Sequence, residues 1–217
     1  MFKDRKDAGK KLAQALMKYR DEKPIVLAIP RGGTEVGFEI AKALDADFSL
    51  IICRKLPFPY NPESGFGAVV EDGTVFINRA AAAGLDDEEI NRIIEKQFQE
   101  TKRRIEILRK GKPLPPLENR TVILVDDGIA MGSTMTAAVE MCKKRGARKI
   151  VVAVPVAGKR AIEFFRHFAD EIIVLESPAD FHAVAQVYLN WYDVSDKEVL
   201  EIMKKWEEYK IKREKEN

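Results

Sequence analysis

The sequence predicts an open α/β fold, a mostly parallel sheet flanked by helices. Three observations predict it. Five short runs, at 25–29, 48–53, 121–125, 150–154 and 172–175, are almost continuously apolar, as strands buried on both faces are. Amphipathic stretches separate these runs, which implies right-handed parallel crossovers. The chain has 217 residues, enough to bury a sizeable core without disulfide or metal staples.

The elements follow in order. Residues 4–20 carry Ala8, Leu12, Ala15, Leu16 and Tyr19 at helical spacing. The strand Ile25–Ile29 ends at Pro30-Arg31-Gly32-Gly33, and a helix is expected over Thr34–Leu44. Phe48–Cys53 is the next strand. Arg54–Asp72 is rich in Pro and Gly and reads as a long loop, of a length that usually serves function or moves. Asp72-Gly73, between Val69-Val70 and Thr74–Ile77, is a hairpin signal. Asp86 and Glu89 have capping-box spacing for a long helix to Lys110. Ile90, Ile93, Ile94, Phe98, Ile105 and Leu108 form its apolar stripe, and Gly111 and Pro113 stop it. After the connector Lys112–Pro116 come a strand at 121–125, a helix over Gly132–Arg145 and a strand at 150–154. A helix over Gly158–Phe168 and a strand at 172–175 complete the alternation. Ser195 and Glu198 make a second capping box, opening a C-terminal helix that runs into the charged tail Lys210–Asn217. The expectation is a single domain over 1–217.

Charge and composition exclude several classes. Lys+Arg number 37 and Asp+Glu 35, a net charge of +2. A DNA-coating protein would show a basic excess, and an acidic disordered chain the reverse. No run approaches the ~18 apolar residues of a membrane-spanning helix. The charged start MFKDRKDAGKKL lacks the apolar core of a signal peptide. Cys53 and Cys142 stand far apart beside apolar residues and read as reduced core residues of a cytoplasmic protein. Two Cys and the scattered His167 and His182 do not make a zinc site.

The most informative stretch is Val122-Ile-Leu-Val-Asp126-Asp127-Gly128-Ile129-Ala130-Met131-Gly132-Ser133-Thr134. A hydrophobic strand delivers two adjacent carboxylates, a small-residue loop follows, and a helix begins. Loop amides and a helix N-terminus favour a phosphate dianion. The hydroxyls of Ser133 and Thr134 can donate to its oxygens, and Asp126 and Asp127 can accept from sugar hydroxyls or stabilise positive charge in a transition state. The competing structural reading is a strand–turn–helix junction in which Asp127 only caps the helix. No Lys precedes Ser133, so a Walker A loop is excluded. Gly32 and Gly33 let backbone amides approach an anion closely, and Arg31 adds a permanent charge. Gly32, Gly33 and Gly37 do not form a dinucleotide fingerprint. Arg54-Lys55, at a strand's carboxyl end, would gather further positive charge for a diphosphate. Phe181, His182, Tyr188, Trp191 and Tyr192 cluster after the last strand. They could stack on a planar ligand, or form core under the C-terminal helix.

At these residues the chain resembles the type I phosphoribosyltransferases, whose strand, acid pair and Gly/Thr-rich loop bind 5-phosphoribosyl-1-pyrophosphate (PRPP). The resemblance covers nearly all the chain, from Phe2-Lys-Asp-Arg to the terminal helix, and is nearest to a bacterial and archaeal group of phosphoribosyltransferase-like proteins. It implies that Asp126 and Asp127 are catalytic and contact the ribose hydroxyls. It implies that Ala130, Met131, Gly132, Ser133 and Thr134 wrap the 5′-phosphate, with Met131 where a Thr is usual. Arg31, Gly32 and Gly33 take the place of the pyrophosphate loop, and Arg54-Lys55 resemble a basic segment of adenine phosphoribosyltransferases. Residues 54–73 look like the mobile lid, with Glu63, Ser64 and Gly65 at its centre. Residues 177–217 would supply a hood and terminal helix, with Phe181 and Trp191 on the base. Ala130 stands where 6-oxopurine enzymes carry an Asp, which disfavours hypoxanthine and guanine. The implied partners are PRPP and a small-molecule acceptor, with Mg²⁺ held mainly through PRPP and water and through Asp126 or Asp127. No membrane or nucleic-acid partner is expected, and homodimers are frequent in the family. The rival reading is a non-catalytic PRPP-sensing regulator that binds nucleic acid or a partner.

Overall fold

A computed structural model of the chain describes residues 1–216; Asn217, the end of the expected tail, lies outside the described residues. The strands are β1 (Ile25–Ala28), β2 (Asp47–Leu50), β3 (Cys53–Phe58), β4 (Asn61–Val70), β5 (Val75–Ile77), β6 (Thr121–Val125), β7 (Lys149–Val156) and β8 (Glu171–Glu176). The helices are α1 (Arg5–Leu16), α2 (Gly33–Leu44), α3 (Asp87–Arg109), α4 (Ser133–Lys144), α5 (Lys159–Phe168) and α6 (Asp196–Glu216). Short 3₁₀ turns occupy Met17–Glu22 and Val184–Val187, so the first α-helix is shorter than the spacing over 4–20 suggests.

The main sheet has the order β2-β1-β6-β7-β8 and is parallel throughout. Its apolar runs divide by alternation. Ile25, Leu27, Val122, Leu124 and Val152 face α4 and α5, while Val26, Ala28, Ile123, Val125 and Val151 face α1, α2 and α6. Both sets are buried, which explains why the runs show no polar alternation. The chain leaves β1 toward β2 on one side and β6 toward β7 on the other. The crevice between the carboxyl ends of β1 and β6 is therefore the topological switch point, where open α/β sheets receive ligands.

The stretch expected to be a loop, 54–72, is instead mostly strand. β3, β4 and β5 form a three-stranded antiparallel sheet. The apolar run ending at Cys53 is split, because β2 stops at Leu50 and Cys53 opens β3 in the second sheet. Leu56, Phe66 and Val69 are buried against Ile90, Ile93, Ile94 and Phe98 of α3. That burial offsets the ordering cost of the hairpin. The register shifts on both sides of Pro57, an irregularity of the kind that tolerates proline. The Asp72-Gly73 turn forms as expected. Gly73 has φ +88°, and Asp72 accepts the Thr74 N–H at 2.9 Å.

Both helices with capping-box spacing are capped by the expected residue. Asp86 accepts the Glu89 N–H at 2.7 Å, and Ser195 and Glu198 exchange bonds of 2.8 and 3.2 Å. Arg109, at the end of α3, ties the two sheets. Its guanidinium donates to the Leu50 carbonyl at 2.9 Å and to the buried Glu71 at 2.8 Å. Burial pushes the Glu71 carboxyl up, and the Arg109 charge opposes this. Arg109→Met would strand that acid without its partner. Urea denaturation should show a loss of about 3–5 kcal/mol, the usual cost of breaking a buried pair from one side.

Candidate active site at the sheet switch point

The turns that leave β1 and β6 press against each other. A Cβ at Gly32 would lie 1.9 Å from Asp127 Oδ2, and one at Gly33 would lie 2.9 Å from the Asp126 Cα. Only glycine permits this approach. The Pro30–Arg31 peptide is cis.

Asp126 and Asp127 leave the sheet at the end of β6, as expected. Asp126 Oδ1 accepts the Asp127 N–H at 2.8 Å. Burial pushes the Asp126 carboxyl well up, and the neighbouring Asp127 charge pushes it further. Burial also raises Asp127, but the Arg5 guanidinium works against it. Arg5 opens α1 and is only 4% exposed. Its Nε donates to Asp127 Oδ2 at 2.9 Å and its Nη1 to the Tyr192 carbonyl at 2.9 Å. The guanidinium lies 4.0 Å over the Trp191 ring. The Tyr188 hydroxyl donates to the Asp127 carbonyl at 2.7 Å.

Residues 128–132 form a tight loop. Ile129 N–H is pinned to the Val156 carbonyl at 2.9 Å. A Cβ at Gly128 would meet Val184 Cγ1 at 2.5 Å, so the segment after β8 packs directly on this loop. Gly132 turns the chain into α4 with φ +85°, and no side chain caps the helix. The first bond into the helix runs from Thr136 N–H to the Gly132 carbonyl at 2.8 Å. The preceding amides of the first turn therefore have no partner within the helix. An uncapped helix N-terminus is a ready anion receptor.

A cavity of about 500 Å³ opens between this loop and the β3–β4 hairpin. Asp126 and Ala130–Thr134 line one side, and Lys55, Glu63, Ser64 and Gly65 line the other. Met131 projects outward, 84% exposed. One acid, the residues expected to hold phosphate and those expected in the lid thus meet around one space.

Other expected site residues do not face this cavity. Asp127 does not line it and is engaged by Arg5. The Arg54-Lys55 pair divides, because strand side chains alternate. Lys55 faces the cavity, where its Nζ donates to the Glu63 carbonyl at 2.5 Å, while Arg54 Nε reaches Gln97 of α3 at 3.2 Å. Arg31 Nη1 lies 3.8 Å from Asp196 Oδ1. The two residues assigned to the base lie away from the cavity. Phe181 packs with Val156, Val187 and Tyr188, and one face of Trp191 is covered by Arg5. The aromatic cluster is not core beneath α6 either. It joins the N-terminus instead, through Phe2 on Tyr188 at 5.6 Å and Arg5 on Trp191.

Three charged residues near the site do not stand out in the sequence. Arg5 carries one local cue, since a cation at the start of a helix opposes the helix dipole. Arg104 is buried on α3, on a polar face with Gln97 and Thr101 that the apolar stripe obscures. Asp196 looks like an ordinary acidic first-turn residue of α6.

An open parallel sheet with an acid pair, a glycine turn and an uncapped helix at its switch point defines the doubly wound α/β class that receives anionic ligands there. The chain belongs to the phosphoribosyl transferase domain family, whose model matches residues 2–190. It is 42% identical over 202 residues to a Mycobacterium tuberculosis protein provisionally named a phosphoribosyl transferase, covering 92% of this chain and 46% of that one. The chain thus spans about half the length of the curated relatives it matches. The crystal structure of the Thermus thermophilus protein TT1426 has a TM-score of 0.80 and 38% identity, covering 95% of this chain and 99% of that chain. A 43-residue stretch, 20% of this chain and 22% of the other, is 49% identical to the transcriptional regulator GfcR of Methanosphaera stadtmanae.

Gly32→Ala tests the close approach of the two turns. The added methyl must push Asp127 away from its bond with Arg5. The expected result is a loss of about 1–3 kcal/mol by urea denaturation, as for overpacked sites.

Proposed function

We propose that the protein is a Mg²⁺-dependent phosphoribosyltransferase that moves the ribose 5-phosphate of PRPP to a nitrogenous acceptor, a nucleobase, and releases pyrophosphate. The observation that carries this reading is the cavity in which Asp126 faces the uncapped N-terminus of α4. The 5′-phosphate would take the open amides and the hydroxyls of Ser133 and Thr134. Asp126 would accept from a ribose hydroxyl. Asp127, oriented by Arg5, would support the acid pair from behind. The diphosphate would lie toward Arg31, Gly32 and Gly33, with Lys55 reaching in from the hairpin.

In the transfer, the bond from ribose C1 to the diphosphate oxygen breaks and its electron pair leaves with pyrophosphate. The acceptor nitrogen supplies the pair for the new C1–N bond and loses its proton to solvent. This chain's contribution is positioning and electrostatics. The hairpin excludes water from a reactive centre that would otherwise hydrolyse. Phe58, Ala81 and Met135 give the cavity an apolar side that suits a flat ring.

Mg²⁺ fits only as an ion shared with the ligand. Among the described residues no three of His, Cys, Asp and Glu group to hold a metal. Ligand oxygens and water, with Asp126 as the carboxylate facing the cavity, would complete its shell. When bound, it would neutralise charge on the departing pyrophosphate. No helix among the described residues is long and apolar enough to cross a membrane, and the reading needs no membrane partner.

The likeness of one segment to a transcriptional regulator favours a second reading, a PRPP sensor without turnover. One assay separates the two. The protein is incubated with PRPP, Mg²⁺ and a panel of nucleobases, and pyrophosphate release is measured. Release with at least one base, abolished in an Asp126→Ala/Asp127→Ala variant that no longer binds PRPP by calorimetry, is the expected result. Silence across the panel, with PRPP binding intact, would assign the sensor. Unaltered PRPP affinity in the double variant would remove the ligand from this cavity.

A further inference from the structure

At the turn that leaves β1, two arginines share one carboxylate. Arg31 follows β1, one residue before the glycine that touches Asp127. Arg104 comes from α3 and is 7% exposed. Between them stands Asp196, the first residue of α6, whose Oδ1 lies 3.2 Å from Arg104 Nη2 and 3.8 Å from Arg31 Nη1. Arg54, on β3, is held apart from this pair by its bond to Gln97 of α3 at 3.2 Å. Glu100 is ion-paired with Arg103 on the exposed side of α3 and also lies near Arg54 and Arg104.

Asp196 serves both Arg104 and Arg31, so this pair of cations shares one carboxylate. A buried cation such as Arg104 ordinarily has a carboxylate to itself, because an unpaired charge is costly to desolvate; here it shares one with the exposed Arg31. The shared carboxylate is placed where the sheet's ligand crevice begins. Asp196 itself is only partly buried, with its side chain 35% exposed. It can therefore leave the arginines by turning into solvent, without α6 unpacking from the core at Val199 and Trp206.

We propose that Arg104 is a diphosphate-binding residue and that Asp196 is its displaceable internal anion. In the ligand-free protein the carboxylate holds Arg31 and Arg104 in place. The diphosphate of the phosphoribosyl donor displaces it and takes Arg31 and Arg104 together. Two linked phosphates carry more charge than one carboxylate, and each can accept a bidentate guanidinium. Asp196 thereby sets the affinity for the donor and for released pyrophosphate through competition. The inference rests on the phosphoribosyl reading of the site.

The test uses calorimetry on the full chain with magnesium pyrophosphate, and ribose 5-phosphate serves as the reference ligand without a diphosphate. Asp196→Asn keeps the shape of the side chain and removes the charge. It should bind pyrophosphate roughly fivefold tighter or more, the lower range of a coupling between sites. Arg104→Met should bind it about tenfold weaker, the loss expected for one charge-assisted contact. In the Arg104→Met background, Asp196→Asn should gain much less. A purely structural tie between α3 and α6 predicts the opposite sign for Asp196→Asn, and a gain in affinity cannot come from misfolding. Equal or weaker pyrophosphate binding by Asp196→Asn, with normal ribose 5-phosphate binding, overturns this inference alone. A wild-type protein that binds neither ligand overturns the phosphoribosyl reading and this inference with it.

Discussion

Two adjacent, largely buried carboxylates at the end of a parallel strand are the constraint around which the rest of the structure is arranged. Taking one charge out of water is expensive, and taking two neighbouring ones is worse. The protein divides the problem. Asp127 receives a buried arginine, while Asp126 is left to the ligand crevice. Arg5 supplies the cation from the first turn of the first helix, and the segment after the last strand holds Arg5 through Trp191 and the Tyr192 carbonyl. Two segments far apart in the chain thus converge on one acid. The glycines at 32 and 33 follow from the same requirement, since any side chain there would occupy the space of the acid pair.

The antiparallel hairpin is the second organising feature. It lies across the cavity from the loop at 128–132 and is anchored by its own apolar face on α3. A covering element with a packed base and polar residues at its outer end can close a site without being disordered. The segment from Asn61 to Ser64 is exposed, whereas Phe66 and Ala68–Val70 are buried. The outer end of the hairpin is therefore the part without core contacts. The long helix α3 couples this sheet to the main one, because its first half packs on the hairpin and its last turn packs on the core.

Much of this is legible in the sequence, and the exceptions have physical causes. The parallel sheet is visible because doubly buried strands are apolar at every position. The acid pair, the loop that follows it and the helix caps are visible because each is local, with its partners within a few residues. The hairpin reads as a loop because Pro57, Pro59, Gly65 and Gly67 interrupt its pattern, and the burial that stabilises it is tertiary. Arg5, Arg104 and Asp196 escape notice for a related reason. Their partners lie 122, 92 and 92 residues away, and nothing in local spacing records a contact of that kind. The aromatic residues after β8 do group together, but their partner is the N-terminus, not the terminal helix.

The central claim is that a sugar phosphate sits between the uncapped end of α4 and Asp126. A crystal structure of the protein with PRPP and Mg²⁺ tests it most directly. The expected result places the 5′-phosphate within hydrogen-bond distance of the amides of residues 130–134, with a ribose hydroxyl on Asp126. A well-ordered ligand whose phosphate contacts none of those amides would contradict it.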